Sequence, residues 1–125
     1  RAMIRNLLIV GAGGMIGSCV RYIVYLATGN VNFPTGTLIV NIAGSFLIGA
    51  ITGFAIRSPY FSGEWRLFLA TGVCGGFTTF SAFSMECVSL LQQNKFVPAF
   101  VYVLASVMAG LIFAALGLWI GKQIL

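Results

Sequence analysis

Thr71-Gly72-Val73-Cys74-Gly75-Gly76-Phe77-Thr78-Thr79-Phe80-Ser81-Ala82-Phe83-Ser84 sets glycine, threonine, serine and phenylalanine in the middle of a long apolar segment, where a membrane helix should be uniform. In hydrocarbon an opened backbone is tolerated only where protein or a water-filled path surrounds it. The stretch therefore predicts a bundle of membrane helices with one helix broken, and it predicts that function lies at the break.

The rest of the chain agrees with a membrane setting. Of its 125 residues 59% are hydrophobic and only 7% charged, against about 25% charged in an ordinary soluble domain. A span needs about 20 apolar residues, and four stretches qualify, at about 4–28, 36–57, 63–93 and 96–124. The fold class expected is all-α, one four-span membrane unit over residues 1–125. The first span ends in the turn-like Thr28-Gly29-Asn30, with Pro34 beyond; the second closes at Arg57-Ser58-Pro59, and Pro98 sits in the first turn of the fourth. The leading segment does not read as a cleaved signal, because its glycine-rich apolar run continues past any cleavage site and further spans follow.

Seven Lys/Arg against two acids give a formal charge of +5. Spread over four apolar spans, these cations make no nucleic-acid surface and bias the protein toward anions and lipid headgroups. Arg1, Arg5, Arg57, Arg66 and Lys122 fall on one side of the membrane, opposite Lys95 and Arg21, so the positive-inside rule puts both termini in the cytoplasm. Cys19, Cys74 and Cys87 have no metal-ligand spacing and no histidine to join them, and read as free buried thiols.

Small residues recur at four-residue spacing in Gly13 and Gly17, Gly49 and Gly53, and Gly117 and Gly121, which predicts close helix packing. Gly11, Gly14 and Gly17 imitate a dinucleotide-binding turn, but the acid needed about 20 residues later is absent. With no histidine and two separated carboxylates, no general base can be paired with a nucleophile, so an enzyme is not expected.

Four features near the break have chemistry to offer. Glu86, on the second half of the broken span, is either an intramembrane functional acid or an interfacial one. Arg21 either snorkels to the interface or attracts anions into a wet vestibule. Asn41, in Gly36-Thr37-Leu38-Ile39-Val40-Asn41-Ile42-Ala43-Gly44, either glues helices or gives its N–H donors to an anion. Phe77, Phe80 and Phe83 recur every three residues beside Ser81 and Ser84, and edge-on rings can stabilise an anion where no full charge is present. The opening itself, expected over Cys74 to Thr78, frees carbonyls suited to Na⁺ and helix N-termini suited to an anion.

Gly36-Thr37-Leu38 with Asn41 and Gly44, then Gly72, Gly75-Gly76-Phe77-Thr78-Thr79-Phe80-Ser81-Ala82-Phe83-Ser84 and Glu86, closely resemble the Fluc (CrcB-like) fluoride channels of bacteria. The likeness covers essentially the whole chain. It implies a dual-topology homodimer of two antiparallel subunits in the bacterial cytoplasmic (inner) membrane, exporting fluoride passively through two pores and conferring fluoride resistance. It further implies that Phe80 and Phe83 offer ring edges to fluoride and that Asn41 donates to it. Ser81, Ser84, Thr37 and Glu86, with Tyr102, would form the polar side of the path, and Arg21 would be the vestibule arginine. Backbone carbonyls of Gly75 and Thr78 from both subunits would hold a structural Na⁺ on the dimer axis. Ala82 stands where many relatives carry threonine, so one hydroxyl of that polar side is missing. The cationic count favours one orientation, whereas the antiparallel dimer needs both. Two other readings compete: a proton-coupled multidrug exporter, which wants its carboxylate in the first span, and an accessory subunit, for which a broken helix has no purpose.

Overall fold

Glycine decides which helix faces meet. The computed structural model describes residues 1–29, 33–61 and 63–124. Four helical stretches in it are long and apolar enough to cross a membrane, Ala2–Thr28, Thr35–Arg57, Gly63–Gln92 and Phe96–Gln123. The first two are the continuous helices α1 (Ala2–Thr28) and α2 (Thr35–Arg57). The third is composite: α3 (Gly63–Arg66), a π-helical run over Leu67–Cys74, α4 (Gly75–Phe77) and α5 (Phe80–Gln92). The last is α6 (Phe96–Gln123). Asn30, part of the turn expected after the first span, and Ser62, at the end of the 58–62 loop, lie outside the described residues.

The most extensive pairing joins α2 to α6, and the next joins α1 to the π-helical run. A Cβ added at Gly49 or Gly53 would overlap the carbonyl oxygen of Ala114 or Leu118, and one at Gly117 or Gly121 the carbonyl of Phe46 or Ala50. Partner numbers rise together along both helices, so α2 and α6 run parallel. Gly13 and Gly17 meet the carbonyls of Phe68 and Val73 in the same way. At each of these positions a glycine hydrogen points at a carbonyl across the interface, a weak Cα–H···O contact that a side chain would abolish. Large apolar residues such as Leu7, Leu8, Phe100 and Leu111 stay exposed. Small residues inside and large ones outside suit a bundle whose solvent is lipid tails.

The interruption in the third stretch falls later than expected. Cys74 and residues 75–77 are helical; the backbone turns extended at Thr78 (φ −92°, ψ 157°) and Thr79 (φ −152°, ψ 120°) before α5 begins. Gly72 and Gly76 do not unwind the helix. They admit α1, since a Cβ on either would strike the backbone of Gly13 or Gly14. Two successive β-branched threonines, stiff at χ1 and at home in extended backbone, mark the actual opening. Phe77 accordingly precedes the opening and is buried, so it does not share an edge with Phe80 and Phe83.

At the other end of α5, Lys95 N donates to Leu90 O and Asn94 N to Leu91 O, with Asn94 left-handed at φ 59°. This is a Schellman ending that turns the chain sharply into α6. Arg5 and Glu64 form an exposed ion pair at 3.5 Å where α1 meets α3. The cysteines are free thiols; Cys74 is buried and Cys87 half-buried, but Cys19 is exposed on α1 rather than buried.

Gly117→Val should lower the thermal unfolding midpoint in detergent, a loss of about 1–3 kcal/mol from forcing a side chain into backbone. Gly63→Ala, where nothing lies within 4 Å, should stay within about 0.5 kcal/mol of wild type.

Candidate functional site

An opened helix must find new partners for its polar backbone groups. In a continuous helix Thr79 N–H would bond the Gly75 carbonyl. Here it donates to Asn41 Oδ1 at 2.9 Å, and Asn41 Nδ2 returns a bond to Thr79 O at 3.1 Å. One side-chain amide on α2 thus replaces a peptide neighbour for Thr79. The Gly76 carbonyl, which Phe80 N–H would otherwise reach, accepts from Arg21 Nε at 3.1 Å. Thr79 Oγ1 caps α5 by accepting from Ala82 N at 3.1 Å, so the Thr78 carbonyl loses its helical donor too. Thr78 bonds backward, N–H and hydroxyl both donating to Cys74 O at 3.0 and 2.9 Å. Gly75 and Thr78, two carbonyls without their helical donors, line one open cleft of about 350 Å³ with Asn41, Ser45, Thr79 and Phe80.

From the cleft a run of aromatic rings leads away. Phe80 is 79% exposed; its ring centroid lies 5.8 Å from that of Phe83, with the planes tilted by 42°. Phe83 lies 5.0 Å from Tyr102 at 53°, and Tyr102 meets Phe33 edge-on at 5.4 Å. No pair in this run is stacked face to face, so ring edges as well as faces are presented along it.

Glu86 sits at the far end, half-buried on α5. Tyr102 hydroxyl donates to its Oε1 at 2.8 Å and Thr37 Oγ1 to its Oε2 at 2.9 Å. Tyr25 Oη lies 3.1 Å from Thr37 Oγ1. Four helices therefore contribute to one carboxylate cluster. A polar cavity of about 240 Å³ borders it, lined by Tyr25, Thr28, Gly29, Gly36, Thr37 and Glu86.

The hydroxyls near the break differ in what they can give. Ser84 donates to Phe80 O at 3.0 Å, so in this rotamer its single proton is already in use. Ser81 shares a 3.1 Å bond with Thr79 Oγ1 in which either can donate. When Thr79 donates, the Ser81 proton is left for another acceptor. Asn41 has two N–H donors and Thr79 O takes one. The inventory along the run is ring edges, one amide N–H and hydroxyl protons. Such a set suits a small anion. Among the described residues no group of three His, Cys, Asp or Glu forms a metal cluster.

The structure thus brings Thr37, Glu86 and Tyr102 together, joins Phe80 to Phe83 and Tyr102, and places Gly75 and Thr78 on one cleft with Asn41. Arg21 is tied to the backbone at the break, and its Cζ lies 5.9 Å from the Tyr25 ring centroid. Two residues were not foreseen from sequence. Thr79, directly before the Phe80 turn, carries an N-cap signal. Tyr25 follows Arg21 by four residues and so shares its helix face.

Residues 8–118 match the family described as CrcB-like protein, Camphor Resistance (CrcB). This chain belongs to the CrcB-like family. A relative from Leptospira interrogans called Fluoride-specific ion channel FluC is 42% identical over 122 residues, 95% of this chain and 96% of the relative. Proteins of the same name from Methylobacterium nodulans and Rhizobium meliloti are 48% and 47% identical, over 85% and 82% of this chain and 87% and 84% of their own lengths. Family membership and four apolar helices together make it a multi-pass membrane protein.

Replacing Asn41 with Leu should destabilise the folded protein by about 1–3 kcal/mol, because the Thr79 N–H is left without a partner and the Thr79 carbonyl keeps only its helical donor on α5. Asn41→Asp keeps the acceptor and should fall between the two in thermal unfolding.

Proposed function

We propose that the protein is a fluoride-selective channel that releases cytoplasmic fluoride passively across the bacterial inner membrane and so confers fluoride resistance. The observation that carries this reading is the ring run from Phe80 through Phe83 to Tyr102, with the Asn41 amide and Ser81 hydroxyl at its break end, in a chain closely similar to proteins named as fluoride-specific channels. Fluoride is small, hard and strongly hydrated, so a pore that admits it over chloride must be narrow and replace its water with well-placed donors. At the break Asn41 and Ser81 supply such donors, and the rings supply positive edges without a charge that would trap the ion. Beyond the rings the path passes Glu86, whose carboxylate is held by the Tyr102 and Thr37 hydroxyls, and opens on the polar cavity beside it. Arg21 raises the local anion concentration beside the break. Ser84 takes part by rotating away from Phe80 O.

The working unit in this reading is an antiparallel homodimer with two pores and the third span broken mid-membrane. The exposed Phe80 and the open cleft beside it are surfaces that a second copy would cover. Gly75 and Thr78, whose carbonyls lack their helical donors, line that cleft, a donor chemistry that fits Na⁺. Paired across the dimer axis they would hold the ion as a structural bridge.

Purified protein in liposomes should release fluoride down its gradient when only a counter-ion path is supplied, with no proton gradient. Absence of flux would contradict a channel, and dependence on a proton gradient would indicate an exporter. Phe80→Ile and Phe83→Ile should each slow efflux about tenfold or more, equivalent to ~1.4 kcal/mol of lost stabilisation along the path, with the dimer intact by size-exclusion chromatography.

Replacing Na⁺ by a bulky organic cation throughout purification should shift the protein from dimer toward monomer. A dimer indifferent to that exchange would remove the Na⁺ bridge from the account.

A further inference from the structure

Glu86 raises a problem for any anion path, since an ionised carboxylate repels a passing anion unless its charge is drawn elsewhere. A carboxylate only accepts hydrogen bonds, and a hydroxyl has a single proton. With Thr37 donating to Glu86 Oε2, the Thr37 oxygen can only accept from its other neighbour, so the 3.1 Å contact with Tyr25 must run from Tyr25 to Thr37. Hydroxyls from α2 and α6 then donate to one carboxylate on α5, and the α1 hydroxyl donates to the one from α2. A chain of this kind is strengthened link by link, because each donor polarises the next.

The fold makes specific room for the outer link. A Cβ on Gly36 would stand 2.7 Å from Tyr25 Cδ1 and 2.9 Å from Thr28 Oγ1, so the ring can lie beside Thr37 only because residue 36 has no side chain. The ring also lies beside the Arg21 guanidinium, which Gly76 O holds. Tyr25 is thereby fixed between the break and the carboxylate cluster.

We propose that Tyr25 is a positioning residue for the fluoride path: its hydroxyl orients the Thr37 proton onto Glu86, keeping the carboxylate charge bound up in donors where the path passes it. Without that hydroxyl the Thr37 oxygen loses its donor and its proton is free to swing away from Glu86. The inference rests on the fluoride-channel reading for its consequence but not for its geometry, which allows the two to be tested separately.

The full-length protein is reconstituted as wild type, Tyr25→Phe, Thr37→Val and the double variant. Phenylalanine keeps the ring, its packing and its place beside Arg21, and removes only the hydroxyl. Tyr25→Phe should slow fluoride efflux about fivefold, the worth of roughly one hydrogen bond. In the Thr37→Val background it should add nothing, because the group it acts through is gone. The infrared carboxylate band that disappears in Glu86→Gln should shift in Tyr25→Phe. Wild-type efflux from Tyr25→Phe with an unmoved band, or effects that multiply in the double variant, would overturn the role. If the wild type itself passes no fluoride, the channel reading fails, and the carboxylate band alone then decides whether Tyr25 orients the cluster.

Discussion

The two-way hydrogen bond between the Asn41 side chain and the Thr79 backbone is the constraint on which the rest of the arrangement depends. The Thr79 N–H, removed from helical pairing inside an apolar bundle, is a donor that lipid cannot satisfy, while the Thr79 carbonyl, at the N-cap of α5, has a second lone pair to fill. One primary amide presents the matching acceptor and donor in one plane, and Asn41 delivers both at 2.9 and 3.1 Å. The backbone can therefore open without leaving Thr79 orphaned.

From that opening the rest follows in order. Thr79 caps α5 and sets its first turn, which sends Phe80 to the surface and Phe83 toward Tyr102. Gly75 and Thr78 lose their helical donors because those donors have gone to Asn41 and to the cap. The glycines before the opening serve a different need: Gly72 and Gly76 let α1 approach closely enough for Arg21 to reach Gly76 O, as Gly36 on α2 lets Tyr25 reach Thr37. Close helix packing and polar function are thus linked. The same α1 backbone that presses on Gly72 and Gly76 carries the two side chains that serve the break and the carboxylate cluster.

Much of the fold is legible in the residue pattern. Four apolar runs of the right length give the four helices nearly to the residue, and paired glycines at four-residue spacing mark the faces that meet. The site of the break is legible only approximately. Glycine suggests an opening because it costs backbone entropy in a helix, yet Gly72 and Gly76 remain helical, held by packing against α1 that a single segment cannot reveal. The interruption instead follows Thr78 and Thr79, whose extended preference is weak evidence until Asn41, 38 residues away, is seen to hold it. For the same reason the sequence offers Asn41 as a donor without disclosing that half its donor capacity is already committed. Tyr25 escapes notice because its meaning comes wholly from contacts with other helices. A tyrosine near the end of an apolar span looks like an interfacial anchor until Gly36 makes room for its ring.

The central claim is that the break and the rings beside it replace fluoride's lost hydration. It is tested most directly by solid-state NMR dipolar recoupling between fluoride and ¹³C-labelled phenylalanine rings in protein reconstituted in lipid. Fluoride should dephase the ring carbons of Phe80 and Phe83, and the side-chain amide nitrogen of Asn41 under ¹⁵N labelling. If fluoride flux proceeds in the same preparation while none of these three side chains is dephased, the account is contradicted.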